Sequence, residues 1–254
     1  MSSPAALCAH LDALLRPADF RDYAPNGLQV PGPAEVRAVV TGVSAHEALF
    51  ERAAAQDADL VLVHHGLFWD GAPRALDAPM ARKLKLLFDH DMALAAYHLP
   101  LDAHQELGNN ASLARALGAA AWEPFATHRG APIGVAARLG GDGVAPAELV
   151  ARVREAVGGR EPLAFLDGPE RVRTIGIVSG AAADHVHDAI ALGLDAFLTG
   201  EPAERVMAVA RENAIHFLAA GHHATETFGV RRLGEELAAR FGVRHVFVDV
   251  PNPI

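Results

Sequence analysis

Two stretches of this sequence follow the same order of apolar and polar residues. Residues 36–66 read VRAVVTGVSAHEALFERAAAQDADLVLVHHG, and residues 172–201 read VRTIGIVSGAAADHVHDAIALGLDAFLTGE. Each pattern predicts a buried strand, a turn containing glycine (Gly42 or Gly180), a helix and a second buried strand. Strands that alternate with helices are typical of an α/β protein whose parallel sheet is covered by helices.

The similarity extends beyond these stretches and predicts an internal duplication. PAALCAHLDALL from Pro4 and PAELVARVREAVG from Pro146 both have the apolar spacing of a helix. ALAAYHLPLDAHQELGNN in the first half resembles HFLAAGHHATETFG in the second. We therefore expect two similar halves, 1–125 with the NGLQV, HHG and HLPLD motifs and 126–254 with TGE and GHHATE. The alternative is that two modules rich in alanine and valine align by chance.

Composition narrows the classes of function. The formal net charge of −9 argues against nucleic acid as a partner, because sequence-independent binding needs clustered Lys and Arg. Cys8 is the only cysteine, which excludes an intrachain disulfide and a thiolate metal cluster and suits a reducing compartment. No apolar run approaches the length of a membrane span. We expect a cytoplasmic protein, and binding of a small molecule or of a cation remains open.

Two consecutive histidines, His64 and His65, close the apolar run ADLVLV. Neutral imidazole is the commonest side-chain ligand of transition metals. Consecutive residues of a strand point to opposite faces, so both can bind metal only if the strand ends there. Gly66 would supply the backbone freedom for that turn. The alternative interpretation is one core histidine and one surface histidine.

The HLPLD motif combines His98 with Asp102 after another apolar run. Pro100 is expected to prevent a helix and to leave both residues on an extended or turning loop. The carboxylate could bind metal directly or orient an imidazole ligand. Taken alone, a histidine and an aspartate at this spacing are more often structural.

The GHHATE motif places His222 four residues before Glu226. Gly221 ends a strand-like run, and the following residues are typical of a helix start. At this spacing both side chains share one helix face and can chelate a metal. His223 points elsewhere, as a hydrogen-bonding or substrate-facing residue. Here too, the motif taken alone favours a structural role.

Together, the three motifs indicate a metal site more strongly than each does alone, because ligands of such sheets bind at the carboxyl ends of the strands. Three imidazoles and two carboxylates would neutralise much of the charge of two divalent ions. Nitrogen and oxygen ligands of this kind suit Zn, Fe, Mn, Co or Ni and argue against Ca or Mg. We therefore expect two divalent transition-metal ions per chain.

The ordered motifs NGLQV, LVHHGLFW, YHLPLDAH with GNN, TGE and GHHATE span nearly the whole chain. In the identity and order of these motifs, the sequence resembles the Nif-three-like dinuclear metal-centre family, whose members are often called GTP cyclohydrolase I type 2 homologues. The segment DYAPNGLQV departs from the more direct Asp-Asn-x-Gly-Leu run of many relatives. Because Asn26 keeps the amide, we expect a changed loop and an intact metal site.

The resemblance implies two intertwined α/β halves, a dinuclear metal centre between them and a toroidal homohexamer. It implies that the metal ligands are His64, His65, Asp102, His222 and Glu226, with Glu226 bridging the ions. His98 would lie close by as a proton shuttle or orienting residue. Glu201 would be a further polar group near the centre, and either of these two could handle protons during catalysis.

Three functions remain open at this point. The first is a metal-dependent hydrolase of a small nucleotide, phosphorylated or cyclic substrate. The second is a non-catalytic metal-binding or metallochaperone-like protein, and the third is a scaffold ring in which metal serves structure. No P-loop pattern identifies a guanine nucleotide site. GTP as the substrate therefore rests on the family label.

Overall fold

Strands and helices alternate along residues 2–254, the part of the chain that the computed structural model describes. The strands are β1 (Gly27–Val30), β2 (Ala38–Ser44), β3 (Leu60–His65), β4 (Ala93–Ala96), β5 (Ala119–His128), β6 (Ala131–Leu139), β7 (Leu163–Leu166), β8 (Thr174–Val178), β9 (Ala196–Thr199), β10 (His216–Ala219) and β11 (Arg244–Phe247). The helices are α1 (Pro4–Leu15), α2 (Glu47–Ala54), α3 (Ala78–Asp89), α4 (Leu99–Ala103), α5 (Asn109–Ala116), α6 (Pro146–Ala156), α7 (Val186–Ala191), α8 (Val206–Glu212), α9 (His222–Thr225) and α10 (Thr227–Phe241).

The chain forms two compact units, and the first contains a five-stranded mixed sheet. This unit runs to Leu101 and resumes from Gly229 to Pro251. Its strand order is β1-β4-β3-β2-β11, with β1 antiparallel to β4 and the other neighbours parallel. Strands β2, β3 and β4 are almost wholly buried, which explains their unbroken apolar sequences. Helices α2 and α3 contribute Leu49, Phe50 and Leu87 to the core on one face.

The second unit, Asp102–Phe228 with Asn252–Ile254, contains a six-stranded mixed sheet. Its strand order is β5-β6-β8-β9-β10-β7, in which β8, β9 and β10 are parallel. Strand β7 pairs antiparallel with β10, and β6 pairs antiparallel with β8. The core joins apolar residues of these strands to Leu113 of α5 and to Leu149 and Val153 of α6. The α/β class predicted from the sequence is confirmed, as two mixed sheets covered by helices.

The same order of elements occurs in both units. In the first unit the order is α1-β1-β2-α2-β3-α3-β4, and in the second it is α6-β7-β8-α7-β9-α8-β10. A matching pair of carboxylates supports this correspondence. Asp59 accepts main-chain hydrogen bonds from residues 37 and 38 at 2.7 and 2.9 Å, and Asp195 accepts them from residues 173 and 174 at 2.8 and 2.9 Å. Each carboxylate therefore fixes the start of the first parallel strand of its own sheet.

One local expectation differs from the structure. Gly42 lies inside β2, where a Cβ would come within 2.7 Å of the Leu49 side chain, so this glycine serves close packing and forms no turn. Strands β5 and β6 form an antiparallel hairpin. The boundary between residues 125 and 126 that we expect from the sequence falls inside β5, and the chain crosses between its compact units after Leu101, Phe228 and Pro251.

Within residues 2–254, none of the helices has both the length and the apolar character needed to cross a membrane.

Candidate metal centre

Three histidines of the first unit converge where two adjacent parallel strands end. His64 and His65 are the last residues of β3, and His98 follows the neighbouring strand β4 by two residues. One ring nitrogen from each of the three lies within 4.8 Å of the others. The consecutive histidines converge because the strand ends at His65, as their spacing in the sequence required. This cluster could hold a metal ion.

The rings of His64 and His65 are oriented through their Nδ1 atoms. The Nδ1 atom of His64 lies 2.9 Å from the carbonyl oxygen of Tyr97. A carbonyl only accepts hydrogen bonds, so we assign the proton to Nδ1 and the metal-binding lone pair to Nε2. The Nδ1 atom of His65 lies 3.0 Å from the Ser44 hydroxyl. Hydrogen bonds of this kind are typical of histidines that bind metal.

His98 is held by Asp22, a residue that sequence reasoning missed. Asp22 Oδ1 lies 2.7 Å from His98 Nδ1, and Asp22 Oδ2 accepts a hydrogen bond from the Leu99 N–H at 3.0 Å. Burial alone would raise the pKa of Asp22, but its hydrogen bonds, above all with His98, bring the pKa below the usual value. The carboxylate therefore stays charged beside the imidazole. The sequence signal that could have identified Asp22 is its position at the start of the DYAPNGLQV segment.

The NGLQV motif secures the loops that carry the histidines. Asn26 Oδ1 accepts a hydrogen bond from the main-chain N–H of His98 at 2.8 Å. Gln29 Oε1 accepts one from the main-chain N–H of Leu67 at 2.9 Å. A Cβ on Gly66 would overlap the Gln29 amide, so Gly66 is needed for this close approach. The prediction from the sequence was instead that Gly66 provides the backbone freedom for a turn.

In the second unit, His222 lies between two carboxylates. Its Nδ1 atom is 2.5 Å from Glu201 Oε1, and its Nε2 atom is 3.1 Å from Glu226 Oε2. Burial lowers the pKa of His222, but Glu226 and Glu201 outweigh that effect and raise the pKa to about 9. Without metal, His222 is therefore protonated at neutral pH, and a bound ion would replace that proton.

Gly180 packs directly against this cluster. The residue follows β8 with a φ of 67°. A Cβ there would overlap Glu226 Oε1 and would lie 3.2 Å from His222 Nε2. The position of the Glu226 carboxylate beside His222 therefore requires glycine at residue 180. The imidazole and carboxylate donors of this cluster fit a divalent transition metal.

Asp102 lies in α4 and is fixed by neighbours in the second unit. The Asn109 amide and the Ser179 hydroxyl donate hydrogen bonds to Asp102 Oδ1 at 2.8 and 3.0 Å. The expectation that Pro100 keeps this segment out of a helix is wrong. Pro100 is the second residue of α4, where the helix needs no N–H from it.

Asn110 completes the packing around Asp102. Its amide donates to the carbonyl oxygens of Asp102 and Ile133, and its Oδ1 accepts from the Ser179 N–H at 2.7 Å. Both asparagines of the GNN motif are fully buried. They hold Asp102 and the loop after β8 in fixed positions, a role that the motif alone did not reveal.

The structure therefore groups the predicted site residues within each unit. His64, His65 and His98 form one cluster, and His222, Glu201 and Glu226 form another. Asp102 is buried, and one of its carboxylate oxygens lies within 4.8 Å of one from Glu226. The half-buried His223 donates its main-chain N–H to the Ile254 carbonyl oxygen.

These features define an α/β protein with side-chain clusters that could hold metal ions at the carboxyl ends of parallel strands. Residues 5–253 match the family model Duf34/NIF3 (NGG1p interacting factor 3), and the chain belongs to this family. A relative from Pseudomonas aeruginosa, named GTP cyclohydrolase 1 type 2 homolog, is 46% identical over 247 residues, which are 97% of either chain.

Two solved structures share the fold over nearly their full length. A protein named ybgI, of unknown function, is 40% identical with a TM-score of 0.93, covering 99% of this chain and 100% of that one. A protein of Thermus thermophilus is 38% identical with a TM-score of 0.88, covering 98% of both chains. The family resemblance inferred from the ordered motifs is thereby confirmed.

Proposed function

We propose that the chain holds two divalent transition-metal ions and that His64, His65, Asp102, His222 and Glu226 are the residues that would bind them. The observation that carries the proposal is shared by four histidines, His64, His65, His98 and His222. In each, the Nδ1 atom lies 2.5–3.0 Å from an oxygen atom. Partners at Nδ1 direct Nε2 towards a metal and strengthen it as a ligand.

The proposed activity is hydrolysis of a small nucleotide, phosphorylated or cyclic substrate. Two such ions would supply Lewis-acid polarisation and a water molecule acidic enough to attack at neutral pH. His98 would hold or move a proton at Nε2, because Asp22 Oδ1 engages its Nδ1 atom at 2.7 Å. Glu201 would orient His222, a role supported by the 2.5 Å contact between them.

The proposal includes an origin of the chain from one duplicated module. The support is the shared order of elements and the matching strand-start carboxylates Asp59 and Asp195. In this scheme His98 and His222 are equivalent, since each follows the third parallel strand, in chain order, of its sheet. The pair His64–His65 has no counterpart, because β9 ends at Thr199 and is followed by Glu201. The centre would therefore be asymmetric.

The proposal includes self-association as a homohexamer, which rests on the family resemblance. Light scattering coupled to size-exclusion chromatography should give six times the mass of one chain. A stable monomer at micromolar concentration would remove this part of the proposal without affecting the metal ligands.

The activity is tested by presenting metal-loaded protein with phosphoesters, cyclic nucleotides and GTP. At least one class should be hydrolysed, and both metal removal and Glu226→Gln should abolish turnover. His90→Gln, at an exposed histidine, serves as the matched control and should keep full activity. Protein that holds two ions yet hydrolyses nothing in the panel would contradict the hydrolase assignment and favour the metallochaperone or scaffold alternative.

A further inference from the structure

Arg160 lies beside the last residues of β10, next to the His222 cluster. It precedes β7, and β7 pairs antiparallel with β10 so that Leu163 is opposite Ala219. Continued by three residues, the same register places Arg160 level with His222. The arginine is therefore at the strand end from which the candidate metal-binding side chains project.

Gly221 provides the space that Arg160 occupies. Its φ of 100° is a conformation that residues with a side chain rarely adopt. A Cβ at this position would lie 2.9 Å from Arg160 Nε and 3.1 Å from Cζ. The guanidinium group thus rests directly against the main chain that leads into His222.

The Arg160 guanidinium makes no hydrogen bond or ion pair with any of residues 2–254. Two arginines of the preceding helix behave differently, since Arg152 pairs with Glu148 at 2.6 Å and Arg154 with Glu161 at 3.4 Å. The chain has 31 acidic and 22 basic residues, so carboxylates are in excess. An exposed guanidinium that rests on a glycine and lacks a carboxylate partner is available to a ligand.

We propose that Arg160 binds the phosphate group of the substrate, which makes it a specificity-determining residue of the site. The proposal rests on the proposed function for the identity of the site. A guanidinium offers paired N–H donors that match two phosphate oxygens, and such charge-assisted bonds are among the stronger ones. Arg160 would anchor the phosphate at the side of the cluster where β10 ends and β7 begins.

The test measures binding of inorganic phosphate to the full-length Co²⁺-loaded chain by isothermal titration calorimetry. Arg160→Gln should weaken phosphate binding by about tenfold or more, the loss expected for a charge-assisted hydrogen bond. The phosphate affinity of Arg160→Lys should lie between that of the unchanged protein and that of Arg160→Gln, because lysine keeps the charge without the paired donors. Arg154→Gln is the matched control and should bind phosphate as the unchanged protein does. Acetate should bind weakly in every variant.

Cobalt content and circular dichroism, measured on the same samples, separate this inference from the proposed function. Unchanged cobalt content and fold with weakened phosphate binding in Arg160→Gln would support the role of Arg160. Unchanged phosphate affinity in Arg160→Gln, or no phosphate binding by the unchanged protein, would overturn it. Arg160-dependent binding of acetate as tight as that of phosphate would also overturn it. A chain that binds no cobalt but still binds phosphate through Arg160 would refute the metal centre alone.

Discussion

The Nδ1 atom of His64 lies 2.9 Å from the carbonyl oxygen of Tyr97, the residue that precedes His98. This contact joins the end of β3 to the end of β4 and sets the ring orientation of a fully buried histidine. The single proton of the Tyr97 hydroxyl is in turn shared between Asp12 Oδ1 at 2.7 Å and the Cys8 carbonyl oxygen at 3.1 Å. Helix α1 thereby stabilises the main chain that orients His64.

Asp22→Asn should destabilise the first unit. The Asp22 carboxylate accepts from the Leu99 N–H and the Asn26 amide and binds His98, whereas the substituted amide would offer one acceptor oxygen in place of two. We expect a loss of about 1–3 kcal/mol in the free energy of unfolding, measured by urea denaturation of metal-free protein.

Asp19→Asn is the control for this substitution. Asp19 is exposed and pairs with the exposed Arg16 side chain, so the change should stay within about 0.5 kcal/mol. Equal effects of the two substitutions would show that Asp22 does not fix the His98 loop.

Gly180→Ala should impair metal binding. The new methyl group would overlap Glu226 Oε1 and would displace this carboxylate from its place beside His222. Gly193→Ala is a close control, because its φ of 66° matches the 67° of Gly180 while nothing lies within 4 Å of the added Cβ. Both substitutions should cost about 1–2 kcal/mol through backbone strain.

Only Gly180→Ala should lower the metal content, measured by plasma mass spectrometry after dialysis. Equal metal content in the Gly180→Ala and Gly193→Ala proteins would mean that the Glu226 carboxylate beside Gly180 does not bind an ion.

Cys8 should react with thiol reagents only after unfolding. Burial, followed by the charge of Asp12, raises the pKa of this thiol to about 12, which leaves roughly one thiolate in 10⁴ at pH 8. In the native state the Cys8 thiol keeps its proton above pH 9, whereas in the unfolded state it loses that proton. This group therefore contributes stability that is complete below pH 9 and falls as the pH rises towards 12.

The measurement is labelling with a chromogenic disulfide at pH 8, with and without urea. Rapid stoichiometric labelling of the folded protein would contradict the assignment of a buried, protonated thiol.

Much of the fold could be predicted from local pattern. The apolar runs that became β2, β3, β8 and β9 are buried on both faces, so composition alone identifies them. The histidines at the ends of β3 and β4 were found because polar residues that end buried strands stand out. Helix α4 was missed because Pro100 is compatible with both a loop and a first helical turn, and sequence does not distinguish them.

Long-range features could not be predicted from pattern. Strand β11 returns from the end of the chain to pair with β2, and no local signal specifies that partner. Asp22 is separated by 76 residues from the histidine it orients, and in sequence it resembles any surface aspartate. Arg160 likewise gains its position from the pairing of β7 with β10.

The central claim is that the chain binds two metal ions, and the metal stoichiometry of the full-length protein tests it most directly. After loading with Zn, Fe, Mn, Co or Ni and removal of excess metal, plasma mass spectrometry should give near two ions per chain. His65→Ala and Glu226→Ala should each reduce that number, and His90→Ala should not. A folded, unchanged protein that holds no metal at saturation, or equal metal content in all variants, would contradict the account.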